Sequence, residues 1–497
     1  MVKKKQLASL IIATAIIWAV WFPLVTSSNI RMDSDRMLFH AQDALTQYVG
    51  EGRSGLVLLL HLFGLTEWQP MLSGVLFLLF FSLSGWILCL FIHLFSSRSE
   101  RFPYALFLLI YATTPVWAFH VYFVLQIAAV GFGLLLASLL AGLDTYHHTQ
   151  PQRNRLTSIF YEIIATCLLG ASLTIYQGLI VFYLSACAIF LFCFLWHQGR
   201  CKPSQVVLWA LRVLAALLIY YLIGRMTQVG SSSYLMQQIQ WGQAPLLQCM
   251  MNVAIQFGKM FFLIYSGSTS LYPIAFMLLL FLMFRCWKSK KYTKESFIWL
   301  LLTGIIILIL PLAMSILQGS RPVPRTQFAL QIAAAFIPVF FLTVTPSKQQ
   351  WLRVLCILAV CLQVALNLRL WHTDNQRHQH DMAIAQTISA DLRHTSADSK
   401  PLLFMGDIPF EDSTFLMEKT DVYGRSFFEW IYDPSIPGSA TSSAVRLLRA
   451  VDGKNYTAYD DPALLNDAVQ LATTMPAYPD DGYCLETDQY ILIKLSP

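Results

Sequence analysis

The chain has 497 residues, of which 56% are hydrophobic, and it carries a formal net charge of +6 with a mean hydropathy of +0.55. Soluble domains contain roughly 45–50% apolar residues. Here the excess lies in runs that are long enough to cross a bilayer. The composition therefore excludes an ordinary soluble protein and predicts a polytopic membrane protein.

Eleven apolar segments predict transmembrane helices, and they cover residues 7–27, 71–95, 102–120, 122–143, 157–176, 178–196, 206–224, 267–286, 296–317, 326–345 and 351–371. The first follows three lysines but is too long for the apolar region of a signal peptide, so we expect it to be retained. Two further apolar stretches, residues 55–65 and 246–265, are interrupted by polar side chains. We predict that both lie in the interface or re-enter the membrane rather than span it.

Basic residues predict the orientation, because they lie in every second loop, at Arg98/Arg101, Arg153/Arg155, Arg200/Lys202, Lys288/Lys290/Lys291/Lys294 and Lys348/Arg353. The positive-inside rule places these loops and the N-terminus in the cytoplasm. The polar segments 27–70, 225–266 and 319–325 would then lie outside, together with the C-terminal tail.

Charge divides the chain at Trp371, since residues 1–371 hold 25 Lys and Arg against 9 Asp and Glu, whereas residues 372–497 hold 9 against 19. In the tail, residues 401–405 and 489–495 predict strands, and residues 442–451 predict an amphipathic helix with Arg446 and Arg449 on its exposed face. We therefore predict a membrane domain over residues 1–371 and a small extracytoplasmic α/β domain over residues 372–497.

Two carboxylates in the first predicted outer loop are the strongest candidates for catalysis. Asp33 and Asp35 are two residues apart, so that in an extended loop both point the same way, and one can act as a base while the other positions it. Either aspartate alone would also suit a solvated position or a helix cap. Outside the tail the predicted outer face offers few other acids, which favours a catalytic role for this pair.

Three arginines on the predicted outer side are candidates for binding an anion. Arg53 follows Gly52, and Arg321 and Arg325 lie in a short loop stiffened by two prolines. Guanidinium groups match phosphate oxygens. Contact with lipid headgroups is the alternative explanation.

Polar side chains at the predicted outer ends of the helices are candidates for binding a sugar or an acceptor. Tyr176, Gln177 and His120 occupy such positions, although each would also suit a hydrogen bond that bridges two helices. The sequence contains no Walker loop, zinc signature or nucleophile elbow. Its ten cysteines show neither disulfide nor metal spacing.

In order along the chain, these motifs resemble those of the polytopic glucosyltransferases that decorate bacterial O-antigens and related surface polysaccharides, a branch of the GT-C superfamily. The resemblance rests on the DSDR loop at residues 33–36, Gly52-Arg53, Tyr176-Gln177, Pro324-Arg325 and the closing stretch Met475–Leu495. Two positions depart from the family pattern, because Ser34 separates the two aspartates and Ser54 follows Arg53 in place of an aromatic residue. Either Asp33 or Asp35 can therefore be the base.

This resemblance implies a GT-C-like enzyme of the bacterial plasma membrane that moves a hexose, most simply glucose, from a polyprenyl-phosphate donor to a polysaccharide or glycolipid outside the cell. The implied reaction is a single inverting displacement in which Asp33 or Asp35 deprotonates the acceptor and Arg53, Arg321 or Arg325 stabilises the departing phosphate. Arg36, Tyr176, Gln177 and His120 would contact substrate. We expect no obligatory metal or other cofactor, although two aspartates can bind a divalent ion, and no nucleic-acid partner.

Two other functions are compatible with a polytopic chain that carries charges on one face. A lipid-linked sugar transporter or flippase should show internal repeats, broken helices and ionisable groups at mid-membrane. A polysaccharide polymerase or ligase would place its working residues in a large central outer loop. The early position of the DSDR loop favours the glucosyltransferase.

Overall fold

The structure, a computed structural model, describes residues 4–96, 102–149, 155–198, 203–227, 238–261, 271–345, 349–411, 422–430, 432–459 and 465–496. The backbone divides into two compact units. We call the first the membrane unit (Met1–Ser27 and Leu45–Leu368) and the second the C-terminal unit (Ser28–Ala44 and Arg369–Pro497). The DSDR loop therefore belongs to the same compact unit as the acidic tail.

Nine helices among the described residues are long and apolar enough to cross a membrane: Lys4–Val25, Pro70–Phe95, Val124–Thr149, Arg155–Leu173, Leu179–Gln198, Val207–Met226, Tyr272–Ser289, Lys294–Gln318 and Gln350–Leu392. The sixth begins at Pro203, and the eighth contains a 3-10 turn at Leu310–Leu312. The ninth, which we call the long helix, has 43 residues and continues well past the predicted end at residue 371. The prediction of a multi-pass helical membrane protein is confirmed.

The two remaining predicted spans, residues 102–120 and 326–345, are not among the nine long apolar helices of the described residues. A single helix was predicted over residues 102–120. The structure instead has two short helices there, Tyr104–Ala112 and Val116–Val121. Pro115 separates them, because proline lacks an N–H donor and its ring clashes with the carbonyl one turn earlier. Phe328–Val344 has 17 residues and is almost entirely buried, so it is a core helix of about 25 Å.

Shorter helices occupy the polar segments between the spans, at Ser34–Phe39, Ala41–Gly50, Ser54–Leu62 and Leu246–Phe261, and a 3-10 turn lies at Pro324–Thr326. Both apolar stretches that were predicted not to span are short, with helices of 9 and 16 residues. Leu246–Phe261 is amphipathic. Its buried face carries Cys249 and the polar Asn252, whereas the apolar side chains of Leu247 and Met250 are exposed.

A buried charge cluster joins four helices of the membrane unit. Arg212 forms ion pairs with Asp144 and Glu162. The hydroxyls of Tyr161 and Tyr183 donate hydrogen bonds to the same Asp144 carboxylate. Each of these partners lies on a different helix from Arg212, so the cluster ties the helices together. Arg212 is buried and paired, so we assign it a structural role.

The C-terminal unit contains a three-stranded sheet made of β1 (Leu402–Met405), β2 (Cys484–Glu486) and β3 (Ile491–Lys494). The strand order is β1-β3-β2, with β1 parallel and β2 antiparallel to β3. In the described part of the tail, helices accompany the sheet at Phe427–Trp430, Thr441–Asp452 and Leu465–Thr474. The two predicted strands and the predicted helix at residues 442–451 are present; β1 is buried along its whole length, three of the four residues of β3 are buried, and the amphipathic helix buries one face.

We predict that Arg212→Gln destabilises the protein by leaving the buried Asp144 carboxylate without its cation. Removing one partner of a buried ion pair typically costs about 3–5 kcal/mol, so the melting temperature of the purified protein in detergent should fall by several degrees. Arg225→Gln is the matched control, because Arg225 lies on the same helix but is exposed. Equal melting temperatures for the two variants would show that the cluster is not a structural tie.

Candidate active site

The DSDR loop turns sharply at Asp33. This residue has a backbone φ of +69°, in the left-handed region, and immediately precedes the helix Ser34–Phe39. The turn is fixed by Ser34, whose hydroxyl donates to the carbonyl of Arg31 at 2.5 Å and accepts from the N–H of Arg31 at 2.6 Å. Left-handed conformations are uncommon for residues other than glycine and persist where the surroundings enforce them. Asp33 is half-buried.

Asp35 has a different environment from Asp33. Its side chain is 3% exposed, and Arg446 Nε donates to its carboxylate at 2.5 Å. The same guanidinium donates from Nη2 to the hydroxyl of Ser443 at 2.8 Å. The prediction that Arg446 lies on an exposed helix face is therefore wrong, because the arginine is turned toward Asp35 and its side chain is only 13% exposed.

A buried ladder of alternating charges holds the loop on its other side. Arg31 Nε lies 2.9 Å from a carboxylate oxygen of Asp374, and both side chains are fully buried. Asp374 also pairs with Arg377 at 3.0 Å, and Arg377 pairs in turn with Asp381 at 2.9 Å. Asp381 accepts a further hydrogen bond from the hydroxyl of Ser426 at 2.6 Å. The N-terminal side of the DSDR loop is thus tied to the long helix.

The helix that carries Arg446 is itself anchored at its C-terminal end. Asp452 accepts hydrogen bonds from Ser389 of the long helix at 2.7 Å and from the hydroxyl of Tyr456 at 2.5 Å. Burial acts to raise the pKa of the Asp452 carboxyl, but these hydrogen bonds outweigh it and hold that pKa below its ordinary value. The carboxylate form is therefore the one that fixes the helix.

In the membrane unit, Arg53 is held by a separate set of partners. Its guanidinium lies 3.0 Å from the Glu51 carboxylate and donates to the Gln126 side-chain oxygen at 3.3 Å. The guanidinium carbon lies 5.2 Å from the centre of the Tyr176 ring, within range of a cation–π interaction. Gln177 donates to the backbone carbonyl of Glu51 at 3.0 Å. The motifs at residues 52–53 and 176–177 therefore meet.

The contact between residues 52–53 and residues 176–177 depends on a glycine at position 52. Its φ is +77°, and a Cβ placed on it would lie 2.5 Å from the hydroxyl oxygen of Tyr220. That hydroxyl accepts a hydrogen bond from Gln177 at 3.0 Å. A side chain at position 52 would disturb both the turn before Arg53 and the contact that orders Gln177.

A chain of aromatic rings runs from Arg53 toward Arg325. The Tyr176 ring lies 5.7 Å from His120 and 5.3 Å from Phe328, and the rings of His120 and Phe328 are 4.4 Å apart. The guanidinium carbon of Arg325 lies 4.7 Å from the centre of the Phe123 ring, and Phe123 donates its N–H to the carbonyl of His120 at 3.1 Å.

Not every buried polar atom of this region has a partner within the described part of the chain. Arg53 Nε and His120 Nε2 are buried and make no hydrogen bond within the described part of the chain. A buried polar atom without a partner calls for an explanation, such as a ligand or water. The aromatic region thus combines cations, rings and unpaired polar atoms.

The structure sorts the predicted site residues into two sets. Arg53, Tyr176, Gln177, His120 and Arg325 come together in the membrane unit, where Arg321 is exposed on its loop. The others, Asp33, Asp35 and the half-buried Arg36, share one turn of the C-terminal unit. Among the described residues, no group of three or more His, Cys, Asp or Glu side chains could hold a metal ion.

Sequence reasoning missed the charge ladder, although a signal for it exists. Asp374, Arg377 and Asp381 are spaced by three and four residues, which places them on one face of a helix as alternating charges. The apolar pattern ends near residue 371, so the helical continuation beyond it was not predicted.

Comparison with known proteins supports the resemblance found in the sequence. The family described as "Glucosyl transferase GtrII" matches residues 22–342, well over half of the chain. Neither the curated proteins nor the solved structures provide a significant match. The matched region includes the DSDR loop, Gly52-Arg53, Tyr176-Gln177 and Pro324-Arg325. The chain is therefore a glycosyltransferase and belongs to the GtrII glucosyl transferase family.

Proposed function

We propose that this glucosyltransferase takes glucose from a polyprenyl-phosphate carrier and transfers it to a polysaccharide or glycolipid on the outer side of the bacterial plasma membrane. The observation that carries the proposal is the grouping of Arg53, Arg325 and the aromatic rings in the membrane unit. A lipid-linked monophosphate needs cations for its phosphate and an apolar setting for its chain, and this group offers both.

Arg53 is suited to the donor phosphate by its surroundings. Tyr176 on one side and Gln126 on the other restrict its guanidinium, and its buried Nε has no partner within the described residues. Glu51, whose carboxylate lies 3.0 Å from the guanidinium, balances part of its charge. A pre-positioned guanidinium loses less conformational freedom when it binds, and its planar fork fits two phosphate oxygens.

Asp33 is our choice for the general base. Asp35 is already bound by Arg446 and nearly inaccessible, whereas Asp33 is half-buried at a strained turn. In the proposed reaction Asp33 takes the proton of the acceptor hydroxyl. The hydroxyl oxygen bonds to the anomeric carbon while the bond from that carbon to the phosphate oxygen breaks. The electron pair leaves with the phosphate, whose negative charge arginine side chains can stabilise.

The outer side of the membrane remains our proposal for the location of this chemistry. It rests on the basic residues in every second loop, which the positive-inside rule assigns to the cytoplasm. A polyprenyl-phosphate sugar that has been moved across the membrane would be available there without any nucleotide-sugar site. The proposal requires no metal, because arginines can stabilise a leaving monophosphate.

We predict that Asp33→Asn lowers kcat by about 10²–10⁴-fold, the usual contribution of a general base. The assay follows labelled glucose from polyprenyl-phosphate glucose into surface polysaccharide, using purified protein in lipid vesicles. Asp43→Asn is the matched control, because Asp43 follows closely in the chain and its side chain is 81% exposed. Full turnover by Asp33→Asn would exclude this carboxylate as the base.

We predict that Arg53→Gln weakens donor binding, because the phosphate loses a hydrogen bond to a charged group. Such bonds contribute about 1.5–3 kcal/mol, which corresponds to a rise of roughly 10- to 150-fold in the inhibition constant of free polyprenyl phosphate. The measurement is competition with labelled donor, and Arg225→Gln serves as the control. An unchanged inhibition constant for Arg53→Gln would remove Arg53 from the phosphate site.

A further inference from the structure

We propose that Arg446, far along the chain in the acidic tail, is a positioning residue for glucosyl transfer, and that it acts by holding Asp35 so that the carboxylate of Asp33 is presented to the acceptor. This inference rests on the proposed function. It assigns a role in the reaction to the C-terminal part of the chain, which lies outside the region matched by the family.

The first step of the argument is the ion pair itself. Arg446 and Asp35 are separated by 411 positions in the sequence, yet Arg446 Nε lies 2.5 Å from Asp35 Oδ2. Asp35 sits in the first turn of the helix Ser34–Phe39, and that helix packs against the helix Thr441–Asp452. A shift of Asp35 must therefore move the turn that contains Asp33.

The second step is that Arg446 is a fixed point. At its start, the helix Thr441–Asp452 is joined to β1, because the N–H of Phe404 donates to the Thr441 hydroxyl at 3.1 Å. At its end, Ser389 binds Asp452. Ser443, one turn before Arg446, orients the guanidinium. The arginine is thus tied to the sheet and to the long helix.

The third step concerns Asp33. Its left-handed backbone is uncommon for a residue other than glycine, and such a conformation persists where the surroundings hold it. Arg31, paired with Asp374, holds the loop before Asp33, and Asp35, paired with Arg446, holds it afterwards. Asp33 is the residue between these two ties. Without the second tie, the turn can relax toward a commoner conformation and carry the Asp33 carboxylate away from its working position.

The experiment compares turnover and donor KM for Arg446→Gln, Arg446→Lys and Arg449→Gln, each normalised to folded protein. Arg449 is the matched control, because it lies one turn further along the same helix and donates to the backbone carbonyl of Tyr456 instead of Asp35. We expect Arg446→Gln to lower kcat by about 10- to 100-fold, the effect of a small misplacement of a catalytic group, with donor KM within about twofold. Arg446→Lys should recover part of the loss, and Arg449→Gln should keep the wild-type kcat.

Asp35→Asn and the double variant with Arg446→Gln complete the test. If Asp35 acts only through the pair, both should lose about as much turnover as Arg446→Gln alone, because the second change removes nothing further. A far larger loss for Asp35→Asn would mean that Asp35 is itself the base, and it would overturn the inference.

The inference and the proposed function can fail separately. Wild-type kcat in Arg446→Gln, together with loss of turnover in Asp33→Asn, would overturn the positioning role alone. Full turnover in Asp33→Asn would overturn the proposed mechanism. If Arg446→Gln does not fold, Asp35→Asn decides: a loss of about 10- to 100-fold in kcat supports the positioning role, and a wild-type kcat contradicts it.

Discussion

Buried charges in this protein are held by opposite charges, and the arrangement of its helices depends on that constraint. An ion that leaves water without a partner is strongly unfavourable, whereas a paired and hydrogen-bonded ion can be tolerated. In the membrane unit, Arg212 and Asp144 satisfy this requirement between helices. In the C-terminal unit, Arg31 and Asp374 do so with both side chains fully buried. The same physical rule therefore shapes both units.

Ion pairs also identify the charges that hold the DSDR loop in place. Asp35 is committed to Arg446, and Arg31 is committed to Asp374, so neither is available to a substrate without breaking a pair. Asp33 lies between them at a strained turn, which is the type of position where functional residues are often found. Arg53 combines a carboxylate partner, an aromatic ring and a buried Nε that has no partner among the described residues. The near-complete burial of Asp35, the half-buried position of Asp33 and the aromatic surroundings of Arg53 support our assignment of base and phosphate-binding roles.

Local patterns in the sequence predicted most of the secondary structure, whereas contacts between distant residues were out of reach. Apolar runs indicated the spans, a short apolar run indicated β1, and alternation indicated β3, because each pattern reflects burial. The helix break at Pro115 follows from proline chemistry, although the apolar run across it had predicted a single helix. The pair formed by Asp35 and Arg446 bridges 411 positions, and no local pattern connects them. The contact of Gln177 with the backbone of Glu51 likewise joins distant residues, and no local pattern predicts it.

The stereochemistry of transfer tests the central claim, that a carboxylate acts as a base in one displacement instead of forming a bond to the sugar. Glucose linked to polyprenyl phosphate with a known anomeric configuration would be supplied, and the configuration in the product would be read from the coupling constant of the anomeric proton by NMR. A single displacement predicts inversion. A product that retains the configuration of the donor would require a covalent or double-displacement route and would contradict the account.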